Sequence, residues 1–183
     1  QSIDRIAALG GGIAVQHRMA YQGEYFVERY GHGAAEATPP IARMLDKGVK
    51  VSAGTDATRV ASYNPWVSLS WMITGKTIGG MQLYPRANCL DREAALRMWT
   101  ENVTWFSNEE GKKGRIEKGQ FADLIVPDKD FFACAEDEIS FLSSELPLVG
   151  EKIVSGAGPF AELDKTPVPP AMPDWSPVRS FKG

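Results

Sequence analysis

Two side chains suited to acid–base or metal chemistry follow short apolar segments. Asp56 comes shortly after Val49–Ala53, and His17 comes directly after Ile13–Gln16. A carboxylate at the C-terminal end of a buried strand is shielded on one side and open to a pocket on the other, which suits a metal ligand or a general base. The alternatives are that Asp56 caps the following turn and that His17 is a hydrogen-bonded structural residue.

The other nucleophilic and metal-binding side chains form no recognised catalytic pattern. Cys89 and Cys134 lack metal-ligand spacing, which favours buried apolar thiols, and His32 lies in a glycine-flanked loop. Nothing places Cys89 beside His17, and no GxSxG, HxH or HExxH motif is present. A closed zinc site needs three or four ligands, so these residues alone supply too few. The glycine-rich stretch 75–80 lacks the phosphate-loop spacing GxxxxGK[ST].

The elements that must position Asp56 and His17 repeat one pattern twice. The first copy is a helix that begins at Ser2, three glycines and the strand Ile13–Val15. The second is a helix with Thr38 as N-cap and Pro39 at its first position, a glycine and the strand Val49–Ala53. This order is typical of a parallel α/β sheet, and right-handed crossovers place both strand ends at one edge. The pattern therefore predicts that Asp56 and His17 share a site.

The rest of the chain changes from helical to strand-like patterning. Between the copies, residues 18–37 predict an aromatic connection with a short helix. The other predicted elements are a helix from Asn64 or Pro65 to Thr74, a helix from Asp91 to about residue 108, strands over Gly114–Gln120 and Phe121–Val126, and a hairpin over Leu146–Val154. We therefore predict an α/β part over residues 1–110, a β-rich part over 111–155 and an irregular proline-rich tail over 156–183.

Composition excludes several classes of protein. Hydrophobic residues make up 43% and charged residues 23% of the 183 residues, which is typical of a globular domain with a core. The net charge of −3 shows no electrostatic footprint for nucleic acid. The longest stretch without a polar residue, Ile6–Val15, is too short to span a bilayer. No signal-type region follows Gln1, which favours a cytoplasmic location and leaves the compartment open.

Three segments resemble, in order, the amidohydrolase superfamily and its family 3, the YtcJ-like branch. Val49–Ala57 followed by Asn64-Pro65-Trp66 is similar to the last barrel strand with its terminal aspartate. Residues 94–106 are similar to the helix that follows that strand. Gly114–Asp128, with its glycines and its Ala-Asp-Leu, is similar to the return into a small β-sandwich and is the most specific of the three.

The resemblance implies a metal-dependent hydrolase that cleaves C–N bonds of a small molecule. The chain would be the C-terminal portion of a (β/α)8 TIM barrel, with about two parallel strands and their helices, plus part of the β-sandwich. Asp56 would touch a divalent metal, expected to be zinc, and carry the proton of the attacking water. His17 stands where this branch often has proline, so the resemblance assigns it no role, and we predict substrate contact.

The other metal ligands of the family are absent from these residues, and a barrel needs about 250 residues. We therefore expect a fragment of a longer enzyme, inactive by itself and without a tightly bound metal. A non-catalytic binding or assembly module is the alternative, with exposed sheet edges covered by self-association or a partner chain. An unrelated α/β domain is a third hypothesis, which a parallel sheet of five or more strands would favour.

Overall fold

The computed structural model describes residues 2–57 and 61–164. Its helices and strands are, in chain order, α1 Ser2–Ala8, β1 Gly12–Gln16, α2 Arg18–Tyr30, α3 His32–Ala35, α4 Ile41–Asp46, β2 Lys50–Gly54, α5 Pro65–Thr74, α6 Arg92–Trp99, α7 Val103–Phe106, β3 Leu124–Pro127, β4 Ser144–Val149 and β5 Lys152–Ile153. Short 3-10 helices cover Arg86–Asn88, Glu136–Phe141 and Gly158–Leu163. None of the helices in the described ranges is both long and apolar enough to cross a membrane.

Strands β1 and β2 form the predicted parallel pair. Their register places Gly12 opposite Lys50 and Gln16 opposite Gly54, so the two strands end at the same edge. Gly48 ends the preceding helix at φ 73°, a left-handed conformation that glycine adopts without a steric cost. The parallel sheet has two strands in the described residues, which does not favour the unrelated α/β domain. The barrel itself stays a prediction.

Residues 18–37 differ from the predicted connection with a short helix. They hold α2, which at 13 residues is the longest of the described helices, and α3. Gly23 lies in the middle of α2, and a Cβ there would approach the Leu83 side chain to 2.9 Å and that of Thr77 to 3.0 Å. Glycine lowers intrinsic helix propensity, but here close packing against these side chains requires it. Tertiary contact therefore overrides the local signal.

The start of α4 is also different from the prediction. Pro39 follows a cis peptide bond from Thr38 and lies outside the helix, which has Pro40 as its N-cap. The Thr38 hydroxyl does not cap α4, because it donates a 2.6 Å hydrogen bond backwards to the Ala34 carbonyl. Asn64 is the N-cap of α5, where the sequence predicts a helix start at Asn64 or Pro65, and the predicted N-cap Asp91 of α6 is confirmed. Asn64 accepts from the Trp66 amide at 2.9 Å, and Asp91 accepts from the Ala94 amide at 2.7 Å.

The long helix predicted from Asp91 is interrupted between α6 and α7. The Thr100 hydroxyl donates a 3.0 Å hydrogen bond to the Leu96 carbonyl, and this side-chain bond competes with the regular backbone bonds of a helix. The Asn102 side-chain amide donates a 2.9 Å hydrogen bond to the Val51 carbonyl of β2. This bond ties the interruption to the parallel sheet, a contact that helical periodicity does not reveal.

The β-rich part contains the antiparallel sheet β3-β4-β5. The strand predicted over Gly114–Gln120 is a turn, because the Gln120 side chain accepts from the Arg115 amide at 3.1 Å and closes the segment on itself. The predicted hairpin is confirmed, with Gly150 and Glu151 between its strands at φ 55° and 67°. Asp123 of the Ala-Asp-Leu motif accepts a 2.8 Å hydrogen bond from the Gly150 amide. This bond gives the motif a structural role in fixing the turn.

The main core lies between the parallel pair and its helices. Among its largest fully buried side chains are Ile41, Trp71, Met72, Ile73, Leu83, Tyr84 and Met98. The segment between β3 and β4 joins this core through Phe131, Ile139 and Leu142. The predicted tail begins here with the 3-10 helix Gly158–Leu163, and its residues 165–183 lie outside the described part. The three-part division at residues 110 and 155 stays a prediction.

Candidate functional site

The C-terminal edge of the parallel pair brings the two candidate residues to one place. His17 directly follows Gln16, which pairs with Gly54, and Asp56 lies two residues beyond Gly54. The prediction that they follow neighbouring strand ends is therefore met in the backbone. In parallel α/β sheets this edge is where binding and catalytic sites form.

Asp56 is exposed at this edge, in a left-handed backbone conformation with φ 51°. Few non-glycine residues adopt such angles, although aspartate is several-fold enriched among those that do. The local turn is closed by the Thr55 hydroxyl, which accepts from the Ala57 amide at 3.2 Å. The alternative interpretation, in which Asp56 caps the following turn, stays a prediction beside its interpretation as a metal ligand or base. Asp56 itself is exposed to solvent.

His17 is different, because its side chain is completely buried. Neither ring nitrogen has a hydrogen-bond partner among the residues that the structure describes. Burial lowers the pKa of His17, and the backbone of Gly54, which lies near the ring without completing a hydrogen bond, opposes this shift. The imidazole is therefore neutral at pH 7, with hydrogen-bonding capacity that its described neighbours do not use.

Sequence reasoning missed the residues that support this pair. The Tyr21 ring packs against the His17 ring with centroids 5.6 Å apart. The four-residue spacing from His17 to Tyr21 was the available signal, since residues i and i+4 share one face of a helix. The sequence predicts only a short helix in residues 18–37, so this spacing does not stand out without the structure. The Thr55 hydroxyl was missed for a similar reason, because its role depends on the turn geometry.

The other candidates lie in settings that do not activate them. His32 is exposed, with its Nε2 atom 3.1 Å from the Gln82 carbonyl and its Nδ1 atom 3.5 Å from the Glu36 carboxylate. Burial raises the pKa of the Cys89 thiol, the opposite of what a thiolate nucleophile needs. Cys134 lies 3.5 Å from the guanidinium of Arg92, whose stronger bonds go to backbone carbonyls.

The described residues offer few ligands for a metal ion. Within residues 2–57 and 61–164, no three His, Cys, Asp or Glu side chains converge as ligands. Asp56 offers one exposed carboxylate, which fits a single position in a coordination sphere. The described residues therefore supply part of a metal site and do not complete one.

A separate apolar groove of about 560 Å³ between α6, α7 and β3 is lined by neither Asp56 nor His17.

Two curated proteins are similar in sequence. The N-substituted formamide deformylase of Arthrobacter pascens is 34% identical over 100 residues, which cover 55% of this chain and 18% of that protein. The YtcJ protein of Bacillus subtilis (strain 168) is 22% identical over 155 residues, which cover 83% of this chain and 29% of that protein. The chain thus spans less than a third of the length of either relative.

Two solved structures share the fold. A metal-dependent hydrolase from Pyrococcus horikoshii OT3 superposes with a TM-score of 0.61 at 20% identity, over 74% of this chain and 28% of that one. A second one, from Pyrococcus furiosus, gives 0.53 at 22% identity, over 72% and 26%. The model of the Amidohydrolase family matches residues 1–155. Because this match covers most of the sequence, including both strand ends and the Ala-Asp-Leu motif, the chain belongs to the amidohydrolase family.

Proposed function

We propose that this chain is the C-terminal part of a metal-dependent hydrolase that cleaves a carbon–nitrogen bond, other than a peptide bond, in a small molecule. The observation that carries the proposal is the exposed Asp56 carboxylate at the C-terminal edge of β1 and β2. Family membership supports hydrolysis, and the similar deformylase acts on N-substituted formamides by its name. An N-substituted formamide or a related amide is therefore the substrate class to test first.

Asp56 has the properties that its proposed roles need. Its carboxylate would provide one ligand to a divalent ion, for which we propose zinc, and the remaining ligands would come from residues other than those described. Such an ion, when bound, supplies Lewis-acid activation of water and of the scissile carbonyl. The carboxylate would accept a proton from the attacking water and return it to the leaving nitrogen, so that amide and water give an acid and an amine.

His17 is proposed to belong to the same site. Its two nitrogens retain hydrogen-bonding capacity, and it directly follows Gln16, which pairs with Gly54, two residues before Asp56. Contact between His17 and a substrate stays a prediction. Because the ring is completely buried, such contact requires the groups that cover it to move when substrate binds.

The first test compares two exposed aspartates, Asp56 after the end of β2 and Asp46 at the end of α4, on the other side of the strand in sequence. In the full-length protein encoded by the gene that carries this sequence, we expect Asp56→Asn to lower kcat/KM for an N-substituted formamide by roughly 10²–10⁴-fold. Asp46→Asn, at the C-terminal end of α4, is the control and should leave kcat/KM unchanged. Full activity of the Asp56 variant would refute the proposed role.

The 183 residues alone should bind zinc or manganese weakly, because a single carboxylate does not hold a divalent ion tightly. Isothermal titration calorimetry measures this directly. Submicromolar affinity would show that the chain completes a metal site by itself, contrary to the proposal.

A non-catalytic assembly module is the second candidate function. It is favoured by the parallel sheet, in which β1 and β2 each pair on one side only within the described residues. Such free edges are sites for pairing with a second copy or another chain. Reading the gene upstream distinguishes the two functions. An HxH motif in the same frame supports the enzyme, and a start codon just before Gln1 supports the module, whose self-association light scattering would detect.

A further inference from the structure

We propose that His17 is a positioning residue, which holds the Asp56 turn in place by filling the water-excluded space behind it. This inference rests on the proposed function, because it concerns how the same carboxylate is oriented. A positioning role needs the volume of the His17 ring, whereas substrate contact would need its nitrogens.

The first step is placement. The β1–β2 register sets Gln16 opposite Gly54, so the next residue on β1, His17, lies alongside the start of the turn that carries Asp56. The backbone of Gly54 lies near the imidazole ring. His17 therefore follows the end of β1 in the buried interior, and Asp56 follows the end of the neighbouring β2 at the surface.

The second step concerns the backbone of Asp56. A non-glycine residue at φ 51° stores steric strain, which persists only where the surroundings hold the conformation. One local bond, from the Ala57 amide to the Thr55 hydroxyl, supports the turn from the solvent side. On the inner side, the buried His17 ring lies near the backbone of Gly54, two residues before Asp56.

The third step is that the ring is fixed without hydrogen bonds from described residues. Tyr21, one helical turn further along α2, packs against it at 5.6 Å. Both nitrogens of His17 lack partners in the described part of the chain. Packing against Tyr21 is therefore what holds the ring among the described residues.

The experiment compares three variants of the full-length protein, His17→Ala, His17→Phe and Ile139→Ala. Ile139 is equally buried but lies on the segment between β3 and β4, so it controls for general destabilisation. We expect His17→Ala to lower kcat by roughly tenfold to a hundredfold with KM unchanged, as small misplacements of a reacting group do. His17→Phe restores the ring volume and should restore kcat. Ile139→Ala should lower Tm alone.

Hydrogen exchange of the metal-free protein gives a readout that does not depend on activity. Amides within 52–57 should exchange at least about tenfold faster in His17→Ala than in the native protein, and at the native rate in His17→Phe. If His17→Ala does not fold, His17→Asn replaces it in both measurements.

Two outcomes would overturn the inference. Unchanged kcat and exchange in His17→Ala would show that the ring does not hold the turn. A raised KM in His17→Phe, equal to that in His17→Ala, would show that the nitrogens contact substrate instead. Failure of the proposed function is seen separately, as activity retained in Asp56→Asn, and it leaves the exchange measurement interpretable.

Discussion

The parallel-sheet region (residues 2–107) and the antiparallel sheet β3-β4-β5 belong to one chain but are stabilised differently. The first provides most of the buried apolar core, including Trp71 and Met98. The strands of the second contribute no residue to the buried core, and Ile125 on β3 and Val149 on β4 are 53% and 59% exposed. Burial therefore holds the region that carries Asp56 and His17, whereas backbone pairing and local bonds hold the sheet.

The segment between β3 and β4 is what connects the two regions. Its residues Phe131, Ile139 and Leu142 pack into the core, and Phe131 lies 5.9 Å from the Trp66 ring. The Arg92 guanidinium of α6 donates to the carbonyls of Phe131 and Cys134. The antiparallel sheet is thus attached through an insertion and not through its own apolar faces. Three substitutions test this comparison.

The largest effect is expected for Trp71→Ala in the core of the parallel-sheet region. Trp71 is buried and packs edge-on against Tyr84, so its removal should lower the free energy of unfolding by about 3–5 kcal/mol. Ile125→Ala on β3 is the matched control and should cost about 0.5 kcal/mol, because that side chain is half exposed. Urea denaturation of both variants measures the difference. Equal losses would contradict the comparison.

An intermediate effect is expected for Arg92→Ala at the connection. Two carbonyls of the connecting segment would lose a charged donor, which should cost about 1.5–3 kcal/mol. Arg97→Ala, on the same helix, removes only exposed ion pairs with Glu93 and Glu101 and should cost less. Limited proteolysis should cleave residues 128–142 faster in the Arg92 variant. Protection equal to that of the native protein would show that packing alone holds the segment.

The smallest effect is expected for Glu151→Gly in the turn between β4 and β5. Glu151 lies at φ 67°, which costs a residue with a Cβ about 1 kcal/mol relative to glycine, so the variant should be more stable by up to that amount. Lys152→Gly, in the adjoining strand, is the control and should destabilise the protein. Thermal unfolding measures both. Destabilisation by Glu151→Gly would mean that the Glu151 side chain contributes more than its backbone strain costs.

Local patterns in the sequence predicted much of the fold. The two helix–glycine–strand copies gave the parallel pair, because an apolar run bounded by glycine is a short-range signal. The N-cap Asp91 and the hairpin turn follow from residues that act within three positions of themselves in the sequence. The position of Asp56 just after a strand end follows from the same pattern.

Contacts between distant residues decided the remainder. Gly23 sits inside a helix because Leu83 packs on it, and Asn102 breaks a helix to bind Val51, so neither outcome follows from propensity alone. The sequence by itself determined that Asp56 and His17 follow adjacent strands. Only the tertiary structure decided that Asp56 is exposed and His17 is buried. The physical reason is that burial depends on packing between elements, here of Tyr21 from α2 against the His17 ring.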